Sequence, residues 1–196
     1  MHAIPTLWRG VQFRSRLEAR WAAFFTQLGW SWEYEPVDFN GYIPDFVLKF
    51  PNPTFVEVKP FFHHADPVIR QAIEKAAASG MKDGHFDQGT NIYHPGQELL
   101  VVGATLFDNW CQSGGESCIA VGLLGISDSG FAQVGVCCSC HRFSYYSEFG
   151  SFHCRVCGNH DGNPLSDGTP APAIRARAEA AWLHAGNQVQ WKPARR

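Results

Sequence analysis

The stretch IPDFVLKFPNPTFVEVKP, Ile43 to Pro60, decides how the rest of the chain is read. Two apolar runs flank Pro51-Asn52-Pro53, a segment too rigid and too poor in donors to continue a ladder, so a β-hairpin is expected. Side chains alternate along a strand, which puts Phe55, Glu57 and Lys59 on one face and Val56 and Val58 on the other. A turn at the two prolines pairs residues whose numbers add to about 102–104, setting Asp45 opposite Glu57 or Lys59 with facing Cβ atoms about 5 Å apart. Two carboxylates and an amine then converge among apolar neighbours. Like carboxylates repel, and each buried charge costs several kcal/mol unless something compensates it. A hard divalent cation would compensate both acids, since Mg²⁺ is usually held by one or two carboxylates plus water and phosphate oxygens. A solvated ion pair of Lys59 with Asp45 or Glu57 is the plainer alternative.

Upstream, Leu17, Trp21, Phe24, Phe25 and Leu28 recur at helical spacing between about Ser15 and Gly29, with Glu18 at the edge of the apolar face. Ser15-Arg16-Leu17-Glu18 also fits a capping box, in which Glu18 would satisfy the helix start and do no chemistry. SWEYEP alternates as a half-buried strand, and Glu35, before a proline, reads as a solvated strand end. Downstream, Asp66-Pro67 opens a second helix that runs to Gly80. His63 and His64 read as loop residues, and Lys82 to Gln97 reads as a long loop where a specificity element could lie. ELLVVGAT and CIAVGLLGIS are continuous apolar runs suited to buried strands. The order is α-β-β-β-α-β-β, a mixed α/β (α+β) fold.

In this order the helix RSRLEARW, the Pro44-Asp45 pair and Glu57-Val58-Lys59 resemble the PD-(D/E)XK nuclease superfamily. FRSRLEARWAAFF, WEYEP, IPDFVL and VEVKP look closest to its branch of phage Holliday-junction resolvases and Tn7-like transposon nuclease subunits. The resemblance spans roughly residues 13–105 and implies a restriction-endonuclease-like αβββαβ core with a mixed sheet. It implies that Asp45 and Glu57 are ligands of Mg²⁺ or Mn²⁺, that Lys59 is the catalytic lysine, and that Glu18 is a helix-borne acid assisting a metal ion or its water. The implied activity is endonucleolytic hydrolysis of DNA, duplex or branched, in phage or mobile-element DNA processing. A homodimer is expected because cutting both strands needs two sites, and a recombination or transposition protein is the expected partner.

Cys137-x2-Cys140 and Cys154-x2-Cys157 form two knuckles, each able to offer two thiolates to one tetrahedral Zn²⁺. They resemble a zinc ribbon, and four protein ligands imply a structural site. Cys138 could replace Cys137, and His141, His153 or His160 could replace a cysteine. Phe143, Tyr145, Tyr146, Phe149 and Phe152, with Arg142 and Arg155, fit either a surface that stacks on bases or the ribbon's own core. Cys111 and Cys118 are left over and read as reduced, buried thiols.

A chain of 196 residues with 45% hydrophobic content has room for one full core plus an accessory module. The expected division is a nuclease domain at 1–130, a zinc ribbon at 131–165, and a linker, C-terminal helix from about Ile174 to Ala185 and basic tail at 166–196. Net charge is −2, yet residues 1–20 carry +3 and residues 174–196 carry +4, so both ends suit phosphate while the middle holds the acids. No run approaches a membrane span and the start lacks a secretory pattern, so the expected setting is the cytoplasm of a bacterial or phage-infected cell. Two other readings are a catalytically inactive nucleic-acid-binding adaptor that uses the ribbon, and a zinc-stabilised protein scaffold.

Overall fold

The structure, a computed structural model, describes residues 3–82, 85–87, 92–94, 96–110, 117–126, 130–147, 153–159 and 169–190. A small hairpin of β1 (Thr6–Trp8) and β2 (Val11–Phe13) leads into helix α1 (Arg16–Gln27). There follow β3 (Trp32–Tyr34), β4 (Phe46–Leu48), β5 (Thr54–Val58) and helix α2 (Pro67–Ala78). Next come β6 (His85–Asp87), β7 (Ile92–His94), β8 (Glu98–Val102), β9 (Phe107–Trp110) and β10 (Ser117–Ile126). The last described elements are β11 (Gly130–Val136), β12 (Phe143–Ser147) and helix α3 (Ala171–Gln188).

Among the described residues, eight strands form one mixed sheet in the order β12-β11-β10-β8-β5-β4-β3, with β9 paired to β10. The pair β5–β8 is parallel and is bridged by α2, while the other pairs are antiparallel. A parallel pair needs such a crossover because its strands run the same way. The core lies on both faces of the sheet. Leu100 and Val102 of β8 pack with Val56, Val58, Trp21, Phe25 and Trp182 under α1 and α3, whereas Leu99 and Val101 pack with Ile69, Ala72 and Ala76 of α2. This alternation explains why Leu99 to Val102 is apolar throughout.

Ser15 caps α1, its Oγ accepting from the Glu18 N–H at 3.1 Å, and Gly29 at φ +70° releases the chain after the helix. Three alanines, Ala19, Ala22 and Ala23, are fully buried and let α1 lie close on its neighbours. Trp21 of α1 sits 4.5 Å from the Trp182 ring of α3, and its Nε1 donates to the Gly103 carbonyl just past β8 at 2.8 Å. The helix is thereby fixed to the end of the sheet that carries Asp45, Glu57 and Lys59.

Several expectations need correction. The β1–β2 hairpin was not foreseen, because three-residue strands are too short to show a period. Within the stretch expected as a long loop, β6 and β7 pair as a hairpin, and its remaining central residues lie outside the described ones. Helix α3 begins at Ala171, earlier than Ile174, since a proline in the first turn is tolerated. The segment expected as a ribbon supplies β11 and β12 to the main sheet, so the knuckles grow directly from its edge. Cys118 is buried and disulfide-bonded instead of reduced, while Cys111 lies outside the described residues.

Candidate active site and metal centre

The β4–β5 register runs Phe46↔Val56, Val47↔Phe55 and Leu48↔Thr54, which carries Asp45 to the position facing Glu57. Both carboxylates are buried, at 3% and 5% exposure. Asp45 Oδ2 accepts from the Val58 N–H at 2.7 Å, and Glu57 Oε2 accepts from the Tyr42 hydroxyl at 2.9 Å. Glu57 Oε1 pairs with Lys59 Nζ, and the Lys59 N–H donates to the Val102 carbonyl at 2.9 Å, which extends the parallel ladder beneath the site. The lysine head is therefore delivered to the carboxylates by strand geometry.

Glu18 joins from α1 and serves the helix start at the same time. Its Oε1 accepts from Ser15 Oγ at 2.7 Å, and its Oε2 accepts from the Arg14 N–H at 3.1 Å and from the Tyr34 hydroxyl at 2.5 Å. The capping contact is thus present, yet it leaves Glu18 close enough to Asp45 for their charges to be felt. Arg14 completes the cluster: its guanidinium pairs with Asp45 through Nη2 and with Glu35 Oε1 through Nε at 2.9 Å. Glu35 is not a solvated strand end. It holds a left-handed backbone, φ 46°, just before Pro36, and its side chain is only about a third exposed. Its N–H donates to the Asp45 carbonyl at 3.0 Å, which ties the two acids' backbones together.

Four acids, Glu18, Glu35, Asp45 and Glu57, therefore share two cations, Arg14 and Lys59. The shortfall appears at Asp45, whose carboxyl is pushed up to about 7 by burial, then by the charge of Glu57, with Glu18 adding to it. The Val58 N–H and Arg14 oppose the rise without cancelling it. A surplus of negative charge on buried oxygens fits a divalent cation chemically. The carboxylates are not drawn around a common point, however; their oxygens are held by Arg14, Lys59, Tyr34 and Tyr42.

The cysteines are drawn around one. Among the described residues, the Sγ atoms of Cys137, Cys140, Cys154 and Cys157 form the group close enough to hold a metal ion, all within 4.8 Å of one another. The two knuckles repeat one turn: His141 N–H donates to Cys137 O at 2.9 Å and Gly158 N–H to Cys154 O at 2.8 Å, with His141 and Gly158 both at positive φ. Cys138, His141 and His153 stand outside the set, and His160 lies outside the described residues. Tyr145 is fully buried and Phe143 lies under the Arg177 guanidinium at 4.5 Å, so these aromatics serve the core; Phe149 and Phe152 lie outside the described residues. His63 and His64 are exposed in the loop before α2.

Between the last two cysteines, Arg155 turns inward and is 3% exposed. Its Nη2 pairs with Glu98 Oε2 at 2.7 Å, while Glu98 Oε1 accepts from the Tyr145 hydroxyl at 2.6 Å and from Thr54 Oγ1 at 2.9 Å. Burial opposes the Glu98 charge, but Arg155, Tyr145 and Thr54 outweigh it and hold the carboxyl below its usual range. Thr54 opens β5 and Glu57 nearly closes it, so the Glu98 network and the acid cluster lie at opposite ends of one strand, about 10 Å apart along the backbone.

Comparison with protein-family models, curated proteins and solved structures finds no match for this chain. Sequence reasoning had named Glu18, Asp45, Glu57, Lys59 and the four cysteines. It took Glu35 for a solvated strand end and gave no site role to Arg14, Tyr34 or Tyr42, nor to the Glu98–Arg155 pair. The alternation in SWEYEP was the available signal for Tyr34; the others depend on contacts between separate elements.

Proposed function

We propose that the chain is a divalent-metal-dependent endodeoxyribonuclease with a restriction-endonuclease-like core. The observation that carries this reading is the buried Asp45–Glu57 pair facing Lys59, with more negative charge than its donors neutralise. The order α-β-β-β-α-β with a parallel β5–β8 pair, and the PD and E-x-K residues at its strand ends, support it. A cation of the Mg²⁺ or Mn²⁺ type held by Asp45 and Glu57 would supply charge neutralisation at phosphorus and a more acidic water.

The chain's own residues do the rest. Lys59 holds and orients the attacking water and offsets charge that develops on the phosphoryl oxygens. Tyr42 fixes Glu57 through Oε2, leaving the Lys59 side of the carboxylate toward the reaction. Ser15 and Tyr34 fix Glu18 beside Asp45. A preference for branched DNA, a homodimeric state, a recombination partner and a bacterial or phage setting rest on the resemblance of the motifs. No helix among the described residues is long and apolar enough to cross a membrane.

We assign the cysteine cluster to structural Zn²⁺. The Cys137–Cys157 and Cys140–Cys154 sulfur pairs are each 3.8 Å apart, and a tetrahedron with sulfurs about 2.3 Å from its centre has edges of about 3.8 Å. Four protein ligands leave no place for a reacting water.

The test is cleavage of a supercoiled plasmid and a four-way junction with Mg²⁺, with EDTA, and by Asp45→Ala beside the wild type. Mg²⁺-dependent cutting that the variant lacks is the expected result. A folded, zinc-loaded wild type that binds DNA and cuts neither substrate would instead favour the inactive adaptor.

A further inference from the structure

Arg14 is placed as no ordinary surface arginine is. Its N–H donates to Glu18 Oε2 at 3.1 Å and to the Tyr34 hydroxyl at 3.2 Å, so the backbone is pinned at the rim of the acid cluster. Its guanidinium lies between Asp45, on Nη2, and Glu35, on Nε at 2.9 Å, with Glu18 Oε2 4.0 Å from Nε. A guanidinium has five N–H donors in a fixed fork, and these contacts engage Nε and Nη2. The side chain is nevertheless 60% exposed, against 4% for Asp45 and 31% for Glu35. Donors thus remain on the solvent side, directed by a carboxylate anchored in a left-handed turn.

Asp45 is also the residue assigned above as a metal ligand, and a guanidinium and a divalent cation compete for the charge of one carboxylate. Glu35 is not among the proposed ligands, so it can keep its hold on Nε after Asp45 is taken. An arginine held this way is suited to a phosphodiester oxygen, which it can bind with paired N–H groups.

Resting on the nuclease reading, we propose that Arg14 is an exchangeable phosphate clamp. It serves as counter-ion to Asp45 before metal binds. When a divalent cation takes Asp45, Arg14 stays anchored on Glu35 and turns its free fork to a backbone phosphate of the nucleic acid. Metal loading and substrate binding are thereby linked through one side chain.

The experiment uses the full, zinc-loaded chain and measures two affinities. Mn²⁺ binding is titrated calorimetrically without nucleic acid for wild type, Arg14→Gln and Asp45→Asn. Duplex-oligonucleotide binding with Mn²⁺ is measured on a Lys59→Ala background, with and without Arg14→Gln. Removing the competing guanidinium should tighten Mn²⁺ binding several-fold, and removing the clamp should weaken oligonucleotide binding about tenfold, the scale of one charge-assisted hydrogen bond. Glu35→Gln should weaken oligonucleotide binding in the same direction and add little once Arg14 is gone, because the two act as one unit. Unchanged or weaker Mn²⁺ binding by Arg14→Gln overturns the exchange, and unchanged oligonucleotide binding overturns the clamp. Mn²⁺ binding that Asp45→Asn does not reduce overturns the metal-site reading itself, and the exchange with it.

Discussion

The two ends of β5 treat buried acid in opposite ways. At the Thr54 end, both oxygens of Glu98 have strong donors and the carboxyl is held below its usual range by Arg155, Tyr145 and Thr54. At the Glu57 end, four acids share two cations and burial pushes Asp45 up to about 7. One end gives its acid a donor on each oxygen and joins the CRVC knuckle to the sheet through Arg155; the other is left short of positive charge. Structural polar networks are built to be complete, whereas perturbed carboxyls with residual charge gather where a ligand completes them. The contrast, more than either site alone, separates the brace from the candidate active site.

The contrast can be broken most forcefully at the brace. Stripping the metal, or replacing Cys154 with Ser, should remove binding energy that in zinc-dependent peptides is on the order of 10 kcal/mol. Thermal unfolding should shift to much lower temperature, with zinc lost from the protein by metal analysis. Unchanged zinc content in the variant would mean that another residue completes the site. Next in size is Arg155→Ala, which leaves Glu98 charged and buried and should cost about 3–5 kcal/mol in denaturant unfolding. A cost below about 1 kcal/mol, the range of a surface pair, would show that the network does not carry the load assigned to it.

At the other end the sign reverses. The folded-state pKa of Asp45 is raised from 3.8 to about 7, so the folded chain keeps a proton that the unfolded chain has released. The stability this group contributes is complete below about pH 4 and is lost as pH rises through about 7. Asp45→Asn should therefore stabilise the zinc-loaded protein in the absence of Mg²⁺ at pH 8, by up to about 4 kcal/mol, and flatten stability between pH 4 and 8. Denaturant unfolding across that range reads both effects; a variant less stable than wild type at pH 8 contradicts the charge shortfall. The smallest effect belongs to Tyr42→Phe, which removes one hydrogen bond to Glu57. About 1–2 kcal/mol of stability should go with it, together with a lower cleavage rate at saturating DNA.

How much of this was readable beforehand depended on how local each contact is. Asp45 could be set against Glu57 because Pro51-Asn52-Pro53 confines the turn and strand side chains alternate strictly, and the observed register, Phe46↔Val56, falls within the expected one. The CxxC spacing likewise pointed to the observed cysteine set, since a knuckle closes on itself within a few residues, though it left Cys138 and three histidines open as substitutes. Arg14, Tyr34 and Tyr42 reach the acids from three separate segments, so their roles depend on packing that no short window contains. Arg155 misled for a related reason. In CRVC it reads as a cation on a small ribbon, but β12 joins the main sheet and turns that position into the interior. Glu18 makes the capping contact its spacing predicts, and the same first-turn position also carries its carboxylate beside Asp45, which the capping box alone does not reveal.

The central claim is that the unneutralised acids are there for a divalent cation. It is tested most directly by thermal unfolding of the zinc-loaded protein at pH 8 as Mg²⁺ is raised through the millimolar range. A ligand that binds only the folded state stabilises it by mass action. The melting temperature of wild type should climb with Mg²⁺ while that of Asp45→Asn stays nearly flat, and Arg155→Ala, though less stable, should climb in parallel with wild type. A wild-type curve that does not move, or one that Asp45→Asn reproduces, would contradict the assignment of a cation to this site.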